Sequence, residues 1–384
     1  MSGQPSRREF LAAASAALPL AAASCSPPAP APAAAPAAPA PRPAAGPPPG
    51  LDWGFPPGAV RVGLNECPLG PSPRAVEAMG RVLGQAHRYL RSTALQRALA
   101  RKHGVDPSWI ALGCGSTEHL QNAPRAYCGT DGEVVSARQA YRELPAAARL
   151  LGRPVHLVPL DAAQRHDLAA MAQAVTPRTR LVCVTNPNNP TGTLLPAAEI
   201  ASFAKALPPE VVLVLDQAYI EFAPAADCVH LVRAHPNVLV LQTFSKIFGL
   251  AGVRVGYAVG QPKLLKPLRR LALRNHVNVV GFVGALAALE DPGHQEAYRA
   301  LCASARELYT RELGALGLTS VGGATPFLVV DTRQDDDVVV GKLAGHGVFT
   351  RRGKDWGLPG WIRITVGTPE QNRQVIAALK QVLG

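Results

Sequence analysis

The sequence has no CxxC pair and no cysteine–histidine spacing of a zinc site, although it carries seven cysteines: Cys25, Cys67, Cys114, Cys128, Cys183, Cys228 and Cys302. Their dispersal argues against a metal cluster, and a chain of 384 residues does not need a disulfide scaffold. Cys183 sits in the apolar run Leu181–Val184 and reads as inert core. Aromatic residues are scarce, at 5%, and charged residues make up only 17%. The formal charge is +12, from 39 Lys+Arg against 27 Asp+Glu, but the arginines are scattered and not interleaved with aromatics. That argues against a nucleic-acid-binding face and leaves the charge as a surface property able to attract anionic substrates. No run of roughly 18 apolar residues occurs beyond the N-terminal segment, so the body has no transmembrane helix. There is no internal repeat.

Proline and alanine are abundant instead, and the 37 prolines concentrate early. Ser6-Arg7-Arg8-Glu9-Phe10-Leu11 precedes a mildly apolar, alanine-rich stretch from Ala12 to Ala23. This resembles a twin-arginine export signal, which implies a partner in the twin-arginine export machinery and a site of action outside the cytoplasm, periplasmic or membrane-tethered. Ala21-Ala22-Ala23 offers small residues for cleavage. Ala22-Ala23-Ser24-Cys25 resembles a weak lipoprotein box without its usual leucine, so cleavage and a lipid anchor at Cys25 both stand. Residues 26–50 are almost wholly Pro, Ala and Gly. Such a segment buries too little surface to offset its ordering entropy and reads as a disordered spacer.

The composition turns globular from residue 51, with length enough for two domains. Ser72–Leu83 and Thr93–His103 read as helices, the first from a Ser-Pro start and the second ended by Gly104. Apolar runs at Ile110–Leu112, Glu133–Val135, Val155–Val158, Leu181–Val184, Val211–Leu215, Val238–Leu241 and Val255–Val259 alternate with helix-like segments. That alternation predicts a mostly parallel sheet covered on both faces. Residues 281–316 read as helical, and short strands at Phe327–Val330 and Trp361–Thr365 with a last helix at Pro369–Val382 predict a smaller α+β domain.

Four motifs stand in order along the body. Gly113-Cys114-Gly115-Ser116-Thr117-Glu118 follows a strand and opens a helix, where glycines let backbone amides approach a phosphate. Thr185-Asn186-Pro187-Asn188-Asn189-Pro190-Thr191-Gly192 follows another strand. Asp216-Gln217-Ala218-Tyr219 follows a third, placing a carboxylate where it can pair with a protonated ring nitrogen. Thirty residues on, Gln242-Thr243-Phe244-Ser245-Lys246 ends a fourth strand and leads to Arg254. A lysine there points into the mouth of an α/β sheet, where desolvation favours the neutral, nucleophilic amine.

Together these motifs resemble the fold type I, class I/II aminotransferases that use pyridoxal 5′-phosphate, from about Val62 to the C-terminus. Leu64-Asn65-Glu66-Cys67-Pro68-Leu69-Gly70-Pro71-Ser72-Pro73, Arg88-Tyr89, Asp216-Gln217-Ala218-Tyr219-Ile220-Glu221-Phe222 and Trp361-Ile362-Arg363-Ile364-Thr365-Val366-Gly367-Thr368 are most similar to the histidinol-phosphate branch. The resemblance implies an α/β fold with a large cofactor-binding domain at 86–265, a small C-terminal domain at 266–384, and an arm at 51–85 belonging partly to the small domain. It implies that Lys246 holds the cofactor as a Schiff base and then shuttles a proton, and that Asp216 keeps the ring nitrogen protonated. Asn189 and Tyr219 would bond the ring 3′-oxygen and Tyr141 would stack on the ring. Ser116, Thr117, Thr243, Ser245 and Arg254 would hold the phosphate, with Tyr89 reaching that of a partner subunit in a homodimer with shared sites. Arg363 would bind the substrate carboxylate, Arg351 the distal end of the substrate, and no metal is expected.

Departures bear on substrate identity. Gln217 stands for a usual glutamate, Cys67 for an asparagine, Arg352 for a proline, and His276-Val277-Asn278 departs from Asn-Val-Asn. The resemblance places Cys67 and Cys114 near the pocket. The expectation is a ping-pong aminotransferase using an amino acid or amine donor and a 2-oxo acid acceptor. A lyase, decarboxylase or oxidase acting through the same carbanion, or a non-catalytic tethered cofactor binder, would use the same residues.

Overall fold

The computed structural model describes residues 54–384. The expected export signal, its Cys25 and the spacer lie outside the described residues. In chain order the strands are β1 (Val60–Arg61), β2 (Ile110–Gly113), β3 (Glu133–Ala137), β4 (Val155–Val158), β5 (Thr179–Thr185), β6 (Val212–Asp216), β7 (Val238–Thr243) and β8 (Gly256–Val259). Beyond them come β9 (Thr319–Gly322), β10 (Phe327–Asp331), β11 (Val348–Phe349), β12 (Arg351–Arg352) and β13 (Trp361–Thr365).

Seven strands form one sheet in the order β2-β8-β7-β6-β5-β3-β4, parallel except for β8, which runs against both neighbours. The expected mostly parallel sheet is present. Its central strands read as unbroken apolar runs because helices cover both faces: every residue of β6 and β7 is buried. The alternating side chains feed two apolar clusters, Leu213, Leu215, Val238 and Val240 on one face and Val212, Val214, Leu239 and Leu241 on the other. A second, antiparallel sheet in the order β12-β13-β10-β9 makes up the expected smaller α+β part. The N-terminal arm joins it through β1, which pairs parallel with β11.

Local signals set the helix ends. The helix Pro73–Val82 starts where Ser72 Oγ accepts the Ala75 N–H at 3.3 Å, and Pro73 occupies the first turn. The helix Ala94–His103 stops at Gly104, which takes the left-handed φ of 61°. The helical stretch expected over 281–316 is two helices, Val279–Leu289 and Pro292–Ala315. Pro292 disfavours a helical Asp291 before it and then serves as the first residue of the second helix. Among the described residues no helix is long and apolar enough to cross a membrane.

Candidate active site

The C-terminal ends of β5, β6 and β7 deliver Thr185, Asp216 and Thr243 to one cavity of about 320 Å³. This is where a parallel sheet binds its ligands. Ser116, Thr117, Tyr141, Asn189, Asp216, Tyr219, Thr243, Ser245, Lys246, Arg254, Arg351 and Arg363 all line it. Tyr89 does not: it is 80% exposed in the segment before Ala94. Neither Cys67 nor Cys114 lines the cavity, and burial pushes the Cys67 thiol up to about 12.

Lys246 follows β7 and donates from Nζ to the carbonyls of Leu64 and Asn65, each at 3.4 Å. The ammonium also lies 5.6 Å from the Tyr219 ring centre. Burial, and next the nearby Arg363, lower its pKa to about 8. Near neutral pH the neutral amine is therefore a minor but far larger fraction than for an ordinary lysine. Asp216 is the mirror case, for burial raises its carboxyl to about 6. Its Oδ1 accepts the Ala218 N–H at 3.2 Å, but among the described residues it has no ion-pair partner. A buried carboxylate so placed is complementary to a cation in the cavity.

The opposite end of the cavity suits a phosphate. The helix Ser116–Tyr127 presents its N-terminus there, after Gly115 at φ 76°. Arg254 adopts a left-handed backbone, φ 56°, and donates from Nη1 to Ser245 Oγ at 3.3 Å and to the Ala251 carbonyl at 3.0 Å. Thr243 Oγ1 donates to Ser245 Oγ at 3.1 Å. The glycines are needed for this closeness. A Cβ on Gly115 would sit 2.5 Å from Arg254 Nη2, and one on Gly256 would collide with the Ser116 nitrogen.

The small antiparallel sheet supplies the other wall. Arg363 on β13 is 4% exposed and donates to Asn189 Oδ1 and to the Gly63 carbonyl, both at 2.6 Å. Its buried Nε has no partner in the protein. The guanidinium lies 4.6 Å from a Trp356 ring centre and 5.3 Å from that of Phe327. Arg351 on β12 is the cross-strand partner of Arg363. Like charges in that register cost stability, and Asp355, 3.8 Å from Arg351, offsets part of the cost.

Sequence reasoning missed Asn65 and Trp356 as site residues. Asn65 Nδ2 donates to the Tyr219 hydroxyl at 2.8 Å, and its Oδ1 accepts from Thr365 Oγ1 at 2.9 Å. Its φ of 56° is a conformation asparagine tolerates better than most residues, but that signal is faint in a sequence. Trp356 lies in a short turn between the two arginine strands, and an aromatic between two arginines could have pointed to it.

The family model for aminotransferase class I and II matches residues 58–379. The chain therefore belongs to the class I and II aminotransferases and is a transaminase. Histidinol-phosphate aminotransferase 1 of Nitrosococcus oceani is 39% identical over 331 residues, covering 85% of this chain and 89% of that protein. An aromatic amino acid aminotransferase of Cutibacterium acnes is 36% identical over 332 residues, covering 85% and 93%. The solved histidinol-phosphate aminotransferase of Sinorhizobium meliloti, in complex with pyridoxal-5′-phosphate, superposes with a TM-score of 0.80 at 31% identity, covering 85% of this chain and 90% of that one.

Proposed function

We propose that this transaminase uses pyridoxal 5′-phosphate to move an amino group from an amino acid or amine to a 2-oxo acid, resembling the histidinol-phosphate enzymes. The convergence of Lys246, Asp216 and Arg254 on one cavity carries the reading. The residues fit the cofactor on both counts described: a buried carboxylate without a cation, and a glycine-walled helix N-terminus beside an arginine.

Ser116, Thr117, Thr243, Ser245 and Arg254 would hold the phosphate, and Tyr141 the ring face. Asn189 Oδ1 accepts from Arg363 Nη1, which leaves Nδ2 free to donate beside the Tyr219 hydroxyl, where the ring 3′-oxygen would sit. When bound, the cofactor supplies an electron sink for the bond pair released at the substrate Cα. Asp216 would stabilise that sink by keeping a positive charge at the ring nitrogen. Lys246 would accept the Cα proton on Nζ and give it back during the exchange, a task matched to its lowered pKa. Arg363 would orient the substrate through its carboxylate, and Arg351 would meet the distal end, since both line the cavity.

The same reading includes a homodimer in which the exposed Tyr89 reaches the partner's phosphate site. It also includes twin-arginine export, supported by Arg7-Arg8 and the alanine-rich stretch after them, with either cleavage or lipidation at Cys25. Export argues against a role in cytoplasmic histidine synthesis. Initial rates with paired donors and acceptors test the reaction: parallel double-reciprocal lines are expected, and intersecting lines would overturn the ping-pong order. Mass analysis of the mature N-terminus tests the export reading, which an intact chain in the cytoplasm would contradict.

A further inference from the structure

The two halves of the phosphate cradle come from distant parts of the chain, the turn before Ser116 and the turn at Arg254, and one segment touches both. His276 stands between Leu273 and Leu112: its Nδ1 lies 2.6 Å from the Leu273 carbonyl and its Nε2 3.1 Å from the Leu112 carbonyl. Carbonyl oxygens only accept, so both contacts are satisfied together only when both ring nitrogens carry protons. Glu118 Oε2 lies 3.8 Å from that same Nε2, the counter-charge for an imidazolium. The same Glu118 oxygen accepts the Cys114 N–H at 2.6 Å and so fixes the turn that leads into Ser116. Two residues on, Asn278 Nδ2 donates to the Val253 carbonyl at 2.8 Å, next to Arg254. Gly281 packs there so closely that a Cβ would come within 2.7 Å of the Val253 oxygen.

We propose that His276, charged and paired with Glu118, acts with Asn278 as a positioning bracket that holds the Ser116–Thr117 turn and Arg254 at the spacing a phosphate group needs. None of the three touches the phosphate site directly; they act through Cys114, Leu112 and Val253. The titratable groups facing His276 are Glu118 and His119 of the helix Ser116–Tyr127. His119 is buried beneath the turn, where burial lowers its pKa to about 4. It therefore stays neutral.

The inference rests on the cofactor reading, and the test separates the two. Dissociation constants of pyridoxal 5′-phosphate and of pyridoxal, which lacks the phosphate, are measured by absorbance on the full-length chain stripped of cofactor. His276→Ala should weaken pyridoxal 5′-phosphate roughly tenfold, the scale of a lost charge-assisted bond, and leave pyridoxal within about twofold. Glu118→Gln keeps the acceptor for Cys114 but loses the charge, and should cost about threefold. Combined with His276→Ala it should add little, because the two act as one unit. His276→Gln, which retains one donor, should fall between wild type and alanine and guards against a misfolded His276→Ala. Equal losses for both ligands, or no change in the ratio of the two constants in either His276 variant, would overturn the bracket. A wild-type chain that binds neither ligand would instead sink the cofactor reading, and the bracket with it.

Discussion

Two buried polar clusters lie back to back at the ends of β6 and β7, and they are built on opposite terms. Asp216 and Thr243 face the cavity, where Lys246, Arg254 and Arg363 add three cationic groups and leave donors and a carboxylate unmatched. Gln217 and Gln242, one residue away in each case, belong to the other cluster, where polar groups mostly consume one another. Gln242 Nε2 donates to Gln217 Oε1 at 3.4 Å and to Asp227 Oδ1 at 3.3 Å, and Gln242 Oε1 accepts from the Tyr257 hydroxyl at 2.5 Å. His103 Nε2 closes on Tyr257 at 2.9 Å. Alternation along a strand is enough to send neighbours to opposite clusters. The difference teaches that burial of polar groups does not by itself mark a site. The mark is polar groups whose partners are missing and whose cavity is open to a ligand. Glu221 is the instructive exception in the rear cluster: among the described residues neither carboxylate oxygen has a hydrogen-bond partner, and Lys102 lies 3.7 Å away as its counter-charge.

The sharpest break of this comparison is substitution in the front cluster. Lys246→Ala should lower turnover on the order of a thousandfold or more, and Asp216→Asn on the order of a hundredfold, in steady-state assays of the holoenzyme. Next in size is Trp356. Trp356→Leu removes the ring stacked on Arg363 and should raise KM for carboxylate substrates roughly tenfold, with kcat within about twofold. Trp356→Phe should recover most of the loss, and a fall in kcat at constant KM would count against the stacking role.

The rear cluster predicts the opposite pattern, with stability affected and kinetics not. Burial raises the Glu221 carboxyl to about 7, above its ordinary value of 4.5. Between those values the folded state holds the proton that the unfolded state has lost, so stability falls as pH rises through about 7. Glu221→Gln never ionises and should stabilise the chain at pH near 8 by about 1–3 kcal/mol, with little difference near pH 5. Thermal melts at the two values check the sign, and turnover should stay within about twofold of wild type.

Much of the front cluster was legible because its residues sit at strand ends in ordered motifs. Lys246 ends one hydrophobic run and Asp216 another, and the fold brings such ends together by rule. Asn65 and Trp356 were not read as site residues because their roles depend on contacts across long separations. Asn65 meets Tyr219 across 154 positions and Thr365 across 300. Trp356 meets Arg363 only because the turn between β12 and β13 folds back over the strand pair. The break in the 281–316 helix was legible in Asp291-Pro292, yet apolar content on both sides masked it. The rear cluster left no trace beyond two glutamines after apolar runs, since nothing in a strand's period tells which polar neighbour will find partners.

The most direct test is a single turnover. Holoenzyme mixed with an amino donor and no acceptor should release one equivalent of oxo acid per site and stop, then resume when a 2-oxo acid is added. Continued consumption of donor without acceptor, or no oxo acid at all, would contradict the transaminase account.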